Sequence, residues 1–350
     1  MNEQSLLFTP MEINGMQLKN RLVRSATYEH MATEDGKVTD QLINFYSKLA
    51  KGGVGLIVLG VAYVQENGHG FPCQIGIYSD DHIAGLKNMV DEIHNHGAVV
   101  ALQIAHAGRQ TTSAAIGGQT PIAPSAIEPD PFFNTSPREM TEEEINETIN
   151  AFGAAAVRCK EAGFDAVQLH ATHGYLLAQF LSPHTNRRTD EWGGNQENRM
   201  RFVTEVNNSV REAVGNDFPV LIKLSVEEGL ENGTTLDEAS NVAMRLSQIG
   251  IDAIEISGGT IADTAFMMSR GDVPIDMLTR NADPAAKEQM EDFFYSIKDM
   301  VKYEEAYWLG HAEKIKEVIG DVPLILVGGM KYPQTMAKIL EENKADLISL

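Results

Sequence analysis

Residues 164–202 read FDAVQLHATHGYLLAQFLSPHTNRRTDEWGGNQENRMRF, and the first dozen of them decide the architecture. Ala166 to Leu169 opens the stretch as a short, largely apolar strand. At its carboxyl end His170, His173 and Tyr175 fall within six residues. Three side chains that can give a proton or a hydrogen bond crowd one strand-to-loop junction. A turn with a purely structural duty does not need so many. Asn186-Arg187-Arg188 and Trp192-Gly193-Gly194 follow, and a polar stretch then opens a helix near Gln196. The Arg-rich and Glu197-Asn198-Arg199 pieces read as scaffold that fixes the loop, not as reacting groups.

The same order, apolar strand, polar junction, amphipathic helix, recurs outward in both directions. Upstream, Arg21–Ser25, Val54–Leu59 and Ala98–Gln103 read as strands. Downstream, Val220–Ser225, Asp252–Ile256, Pro323–Val327 and Ala345–Leu350 do. Val54–Leu59 is apolar throughout between glycines, as a strand buried on both faces must be. Helices are expected at Thr39–Lys51, Asp81–His96, Thr141–Glu161, Glu197–Val214, Leu236–Ile249, Ala306–Ile319 and Pro333–Glu342. Thr141 with Glu144 forms a capping box, and Gly97, Gly163 and Gly250 stand where helices end. Strands alternating with helices imply parallel pairing and right-handed crossovers. Eight of them match a (β/α)8 TIM barrel, here with the last helix missing from the chain. An open doubly wound sheet is the runner-up; against it, no G-x-G-x-x-G follows the first strand. A single domain over residues 1–350 is expected, with an inserted lid or contact segment at about 260–305 that holds a helix near Pro284–Met300.

Composition narrows the partners. The 350-residue chain carries a formal charge of -21, which disfavours nucleic acid and anionic membranes. Cys73 and Cys159 match no metal or redox spacing, so a reducing, cytoplasmic setting is expected. MNEQSLLFTP lacks the basic and apolar regions of a signal peptide, and the apolar run Val54–Val64 is too short to span a bilayer.

If the barrel forms, its carboxyl face collects Ser25, Ala26, Thr27 and Tyr28, then Gly60, then Gln103 and His106. His170, His173 and Tyr175, Lys223 and Ser225, Ser257-Gly258-Gly259 and Gly328-Gly329 complete it. Donors and glycine turns dominate, and carboxylates are few. Such a face suits an electron-rich, partly anionic ligand.

At these residues the chain resembles the old yellow enzyme family of FMN-dependent NAD(P)H oxidoreductases. The likeness is carried by Asn20-Arg21 with Arg24-Ser25-Ala26-Thr27, by Gln103-Ile104-Ala105-His106-Ala107-Gly108-Arg109, and by His170-Ala171-Thr172-His173-Gly174-Tyr175 with Phe180-Leu181-Ser182-Pro183, Asn186-Arg187-Arg188 and Gly193-Gly194. It implies FMN as cofactor, with NADH or NADPH as reductant and a small carbonyl compound as substrate. By position, Ser25 to Tyr28 and Gly60 would border the flavin, with Tyr28 near its N5 and O4. Gln103 would bond the pyrimidine edge, and Lys223 would stand near N1 and O2, where the family commonly has Arg. His170 and His173 would hold the carbonyl oxygen and Tyr175 would protonate the adjacent carbon. Ser257 to Gly259 and Gly328-Gly329 would approach the phosphate. The family continues past the eighth strand with a Gly-Arg pair and a closing helix, whereas this sequence ends at Leu350. Apolar surface around the eighth and first strands is therefore expected to be bare or covered by a second copy, making a homo-oligomer. Two other readings stay open on the residues alone: a metal-dependent barrel hydrolase or lyase using His170 and His173, and a non-catalytic barrel that has lost its flavin.

Overall fold

Inward and outward residues alternate along every long strand, and the computed structural model shows what that alternation builds. It describes residues 5–129, 132–268, 270–271, 273–280 and 284–350. Leu22–Arg24, Leu56–Tyr63, Val99–Ala105, Ala166–Ala171, Val220–Ser225, Ala253–Ser257, Leu324–Leu326 and Leu347–Ser349 form a closed barrel of eight parallel strands. Each strand pairs with its neighbour in sequence, and the eighth returns to the first through Ile348 and Leu22. The expected TIM barrel is borne out, and closure removes the open sheet from consideration.

Val23, Leu56, Val58, Ala101, Ala166, Leu221, Ala253, Ile325 and Leu347 point inward and are fully buried. They stand at or near the amino ends of their strands and make an apolar floor. One turn up, the inward positions become polar: Ser25, Gln103, Gln168, Lys223 and Glu255. The alternate residues, such as Val167, Leu169, Ile222, Leu224, Ile254 and Ile256, join the core between barrel and helices.

The floor is plugged by a hairpin that the sequence reading did not assign. Met11–Ile13 pairs antiparallel with Met16–Leu18. Asn14 and Gly15 connect them, both with positive φ, 44° and 81°. That is the conformation two-residue hairpins favour, and Asn-Gly adopts it at little cost. Ile13, Met16 and Leu18 pack into the same apolar cluster as the barrel floor.

Helices start and stop where their caps dictate. Thr141 and Glu144 make both bonds of the expected capping box before Glu142–Glu161. Thr39, Asn195 and Thr235 cap Asp40–Lys51, Gln196–Val214 and Leu236–Gln248. The outer face of the eighth strand is not bare, contrary to expectation. Ile348 is fully buried in the outer core with Leu7, Ile339 and Leu340, because the turn Leu6–Phe8 folds back beside the helix Pro333–Glu341. The segment after the sixth strand carries the turn Ala265–Met267 and the helices Ile275–Leu278 and Pro284–Ile297. No helix among the described residues is long and apolar enough to cross a membrane.

Truncating the plug tests whether it is part of the barrel core. Ile13→Ala is expected to cost about 2–5 kcal/mol, as for other fully buried aliphatic side chains. Urea denaturation measures it, and a loss under about 1 kcal/mol would mean the hairpin is peripheral.

Candidate active site

A cavity of about 570 Å³ opens at the carboxyl ends of the strands. Arg24, Ser25, Ala26, Thr27 and Tyr28 line one side, leaving the first strand. Gln103, His170, His173, Tyr175 and Lys223 line the other, from the third, fourth and fifth strands and the turn after the fourth. Val61, Ser257, Ile261, Met268, Val327 and Leu350 complete the wall. Ten of the residues expected from sequence thus meet at one site: Ser25, Ala26, Thr27, Tyr28, Gln103, His170, His173, Tyr175, Lys223 and Ser257.

His170, His173 and Tyr175 form one aromatic group. The His170 ring centre lies 5.2 Å from that of His173 and 4.5 Å from that of Tyr175. Burial holds both imidazoles well below the ordinary histidine pKa; the neighbouring His170 charge and Lys223 add to this at His173, and Lys223 does at His170. Both rings are therefore neutral at pH 7. Burial, then Tyr28, pushes the Tyr175 phenol upward, so it keeps its proton. His170 Nδ1 is buried and has no partner among the described residues. His173 Nε2 lies 2.8 Å from Ser257 Oγ. Ser257, expected near a phosphate, lies on the cavity wall in contact with this ring.

The turn carrying His173 is held in an unusual conformation. His173 has φ 59° and Gly174 has φ 77°. A β-carbon on Gly174 would lie 2.8 Å from Gln110 Oε1, so glycine is needed for both space and φ. Gln110 Nε2 and Ile261 N both donate to the His173 carbonyl, at 2.9 and 3.1 Å. Arg109 pairs with Asp263 at 2.7 Å. Loops after the third, fourth and sixth strands are thereby braced against one another. Beneath them, Asn186 Nδ2 donates to Phe180 O and Trp192 O, and Arg188 Nη1 to Pro124 O and Met140 O, a scaffold for the long loops.

Lys223 does not stand alone. Its Nζ donates to Ser25 Oγ at 2.7 Å and to Glu255 Oε1 at 3.1 Å. Glu255 is completely buried and also accepts from Ser25 Oγ and Gln168 Nε2. Burial pushes its carboxyl up, but the Lys223 charge and the three donors outweigh this and hold it below the usual range. Gln168 Oε1 in turn accepts from Gln103 Nε2 at 2.7 Å. Glu255 and Gln168 were not singled out from sequence. The signal was available: a Glu at the centre of the apolar Ala253–Ser257, two residues from an inward-facing Ser, in register with Lys223.

Other expected residues play different parts. Tyr28 lines the cavity with its ring, but its hydroxyl donates to Pro72 O and lies 2.5 Å from His30 Nδ1. Burial, with Cys73 beside it, raises that phenol to about 12. Gly60 lies outside the cavity wall; a β-carbon there would sit 2.8 Å from the Gln103 carbonyl, so it lets two strands approach under Gln103. Gly259, Gly328 and Gly329 do not line the main cavity either. The Gly259 N–H is already given to Glu227 O at 2.8 Å. Those of Gly328 and Gly329, next to the cavity residue Val327, make no hydrogen bond among the described residues.

These features fit FMN. Gln103, Lys223 and the first-strand residues present polar groups for a flavin ring, and the free N–H groups of Gly328 and Gly329 suit a phosphate. Among the described residues no group of three His, Cys, Asp or Glu is placed to hold a metal ion.

Comparison with known proteins agrees. Residues 6–350 match the model of the NADH:flavin oxidoreductase / NADH oxidase family. The chain is 36% identical to the NADH oxidase of Thermoanaerobacter brockii over 345 residues, 98% of this chain and 48% of that one. It is 42% identical to the NADPH dehydrogenase of Halalkalibacterium halodurans over 256 residues, 73% of each. The 2-naphthoyl-CoA reductase in complex with 2-naphthoyl-CoA superposes with a TM-score of 0.84 at 29% identity, covering 98% of this chain and 49% of that one. The chain thus spans about half the length of the NADH oxidase and of the 2-naphthoyl-CoA reductase.

Replacing Lys223 by Met would leave Glu255 buried without its cation, at an expected cost of about 3–5 kcal/mol at pH 7. With the cation gone, burial alone raises the carboxyl pKa, so protonation relieves the cost as pH falls. Urea midpoints at pH 7.5 and 5.5 should therefore show a deficit that shrinks on acidification; a deficit independent of pH would contradict the ion pair.

Proposed function

The chain belongs to the NADH:flavin oxidoreductase / NADH oxidase family, of old yellow enzyme type, and from that premise we propose that it reduces the carbon–carbon double bond of an α,β-unsaturated carbonyl compound at the expense of NADH or NADPH. The observation that carries this reading is the grouping of two neutral imidazoles and one protonated phenol on a single cavity wall. The name of the 2-naphthoyl-CoA reductase supports it, since that compound is a conjugated acyl thioester.

Bound FMN supplies the hydride relay between the nicotinamide and the alkene. Gln103 and Lys223 would hold its pyrimidine end, Ser25 to Tyr28 its flank, and Gly328 with Gly329 its phosphate. His170 and His173 bind the substrate carbonyl oxygen. Both rings line the cavity beside Tyr175, and the contact of His173 Nε2 with Ser257 Oγ at 2.8 Å fixes the second ring. As hydride reaches the β-carbon, negative charge collects on the oxygen. A preplaced neutral donor stabilises it by roughly 2.7–4 kcal/mol, and because it is already positioned nothing reorganises during the reaction. Two such donors also fix which carbon faces the hydride source.

Tyr175 then protonates the α-carbon. Its buried phenol does not ionise at pH 7, so a proton is always present. A developing carbanion is a stronger base than a phenolate, and the transfer is downhill. The Tyr175 ring lies against His170, so the donor sits next to the carbonyl that it serves.

Rapid mixing separates the two half-reactions. Tyr175→Phe should slow alkene reduction by about 10²–10⁴-fold, the usual contribution of a general acid, and leave flavin reduction by NAD(P)H within a few-fold of normal. Equal loss in both steps would refute the proton-donor role.

A further inference from the structure

Five side chains, four from strands and Ser25 from just past the first strand, form one hydrogen-bonded chain at the base of the cavity: Ser25, Gln103, Gln168, Lys223 and Glu255. Its directions follow from the chemistry of the groups. An ionised carboxylate only accepts. Glu255 therefore takes N–H from Gln168, which leaves Gln168 Oε1 to accept from Gln103 Nε2 at 2.7 Å. The amide of Gln103 is oriented in consequence, with its Oε1 left for a ligand. On the other branch Lys223 donates to Ser25 and to Glu255, leaving one of its three N–H groups for the cavity.

Charge points the same way. Glu255 Oε1 is 3.1 Å from Lys223 Nζ, with the two side chains 0% and 5% exposed. Little water is available to screen either charge, so a ligand above Lys223 meets the field of the pair. We propose that Glu255 is a positioning residue for the flavin: its carboxylate cancels the Lys223 cation and fixes the Gln103 amide, so the pyrimidine end of FMN meets an oriented acceptor at Gln103 and an oriented donor at Lys223 without net positive charge. This rests on the FMN reading given above. It separates two functions that a lone cation would combine. Lys223 supplies a directed hydrogen bond, while Glu255 limits how far reduced flavin is favoured over oxidised flavin.

The test uses FMN-loaded protein and its two-electron midpoint potential. Glu255→Gln keeps the size and an accepting oxygen but removes the charge. It should bind reduced FMN at least tenfold more tightly relative to oxidised FMN, a rise of about 30 mV. Lys223→Gln combined with Glu255→Gln removes both charges and strands neither. Its potential should return to within roughly threefold, in the same affinity ratio, of the unaltered protein. A Glu255→Gln potential that is unchanged or lower would overturn the proposal. So would a double variant in which that ratio falls tenfold or more, since Lys223 would then act as an uncompensated cation. If Glu255→Gln does not fold, the double variant decides alone. Failure of the unaltered protein to take up FMN, seen in its absorption spectrum, would instead refute the FMN reading itself.

Discussion

Closing eight parallel strands on themselves obliges every second side chain to point at one axis, and the rest of this molecule follows from that constraint. Near the amino ends the inward positions are aliphatic and make a floor, stopped from below by a hairpin. One step higher they are polar, and the barrel brings side chains far apart in sequence within hydrogen-bond reach. Ser25 and Glu255 are 230 residues apart and meet at 2.7 Å. A buried carboxylate and ammonium are costly to remove from water, and the arrangement is tolerable because Glu255 accepts three hydrogen bonds and Lys223 donates two. The polar layer is thus possible only because the barrel places all its members together.

The wall that carries His170, His173 and Tyr175 is built differently. His170 continues a strand, but His173 and Tyr175 lie on the turn that follows, and a residue at φ 59° is not held by strand geometry. Bonds from Gln110 and Ile261 to the His173 carbonyl, with the Arg109–Asp263 pair, supply what the strand does not. The loop after the sixth strand therefore serves the site twice. It braces the turn and contributes Ile261 and Met268 to the cavity wall. Burial of the wall makes its imidazoles neutral donors and keeps its phenol protonated.

Much of this was legible in the sequence, for physical reasons. Buried parallel strands are nearly all apolar, as Leu56–Tyr63 is, and a capping box such as Thr141–Glu144 marks a helix start locally. Residues at strand ends, such as Gln103 and Lys223, converge once the barrel is recognised. The rest depends on contacts between distant segments. Nothing near Glu255 announces Lys223 or Gln168, except that a charged residue breaks an apolar strand. Nothing near Ser257 announces that it meets His173, because strand and loop directions decide that. The glycines after the sixth and seventh strands look alike in sequence, yet Gly259 has given its N–H to Glu227 and Gly328 and Gly329 have not. The Asn14-Gly15 hairpin was readable from turn chemistry, but its strands are only three residues long and carry little periodicity.

The most direct measurement is an absorption titration of the purified protein with FMN, followed by removal of unbound flavin and anaerobic addition of NADH or NADPH. A retained flavin spectrum that bleaches on adding the nicotinamide is the expected result, with the cavity at the strand ends as the flavin site. A protein that comes away colourless after saturation with FMN would contradict it, and the grouping of His170, His173 and Tyr175 would then need another explanation.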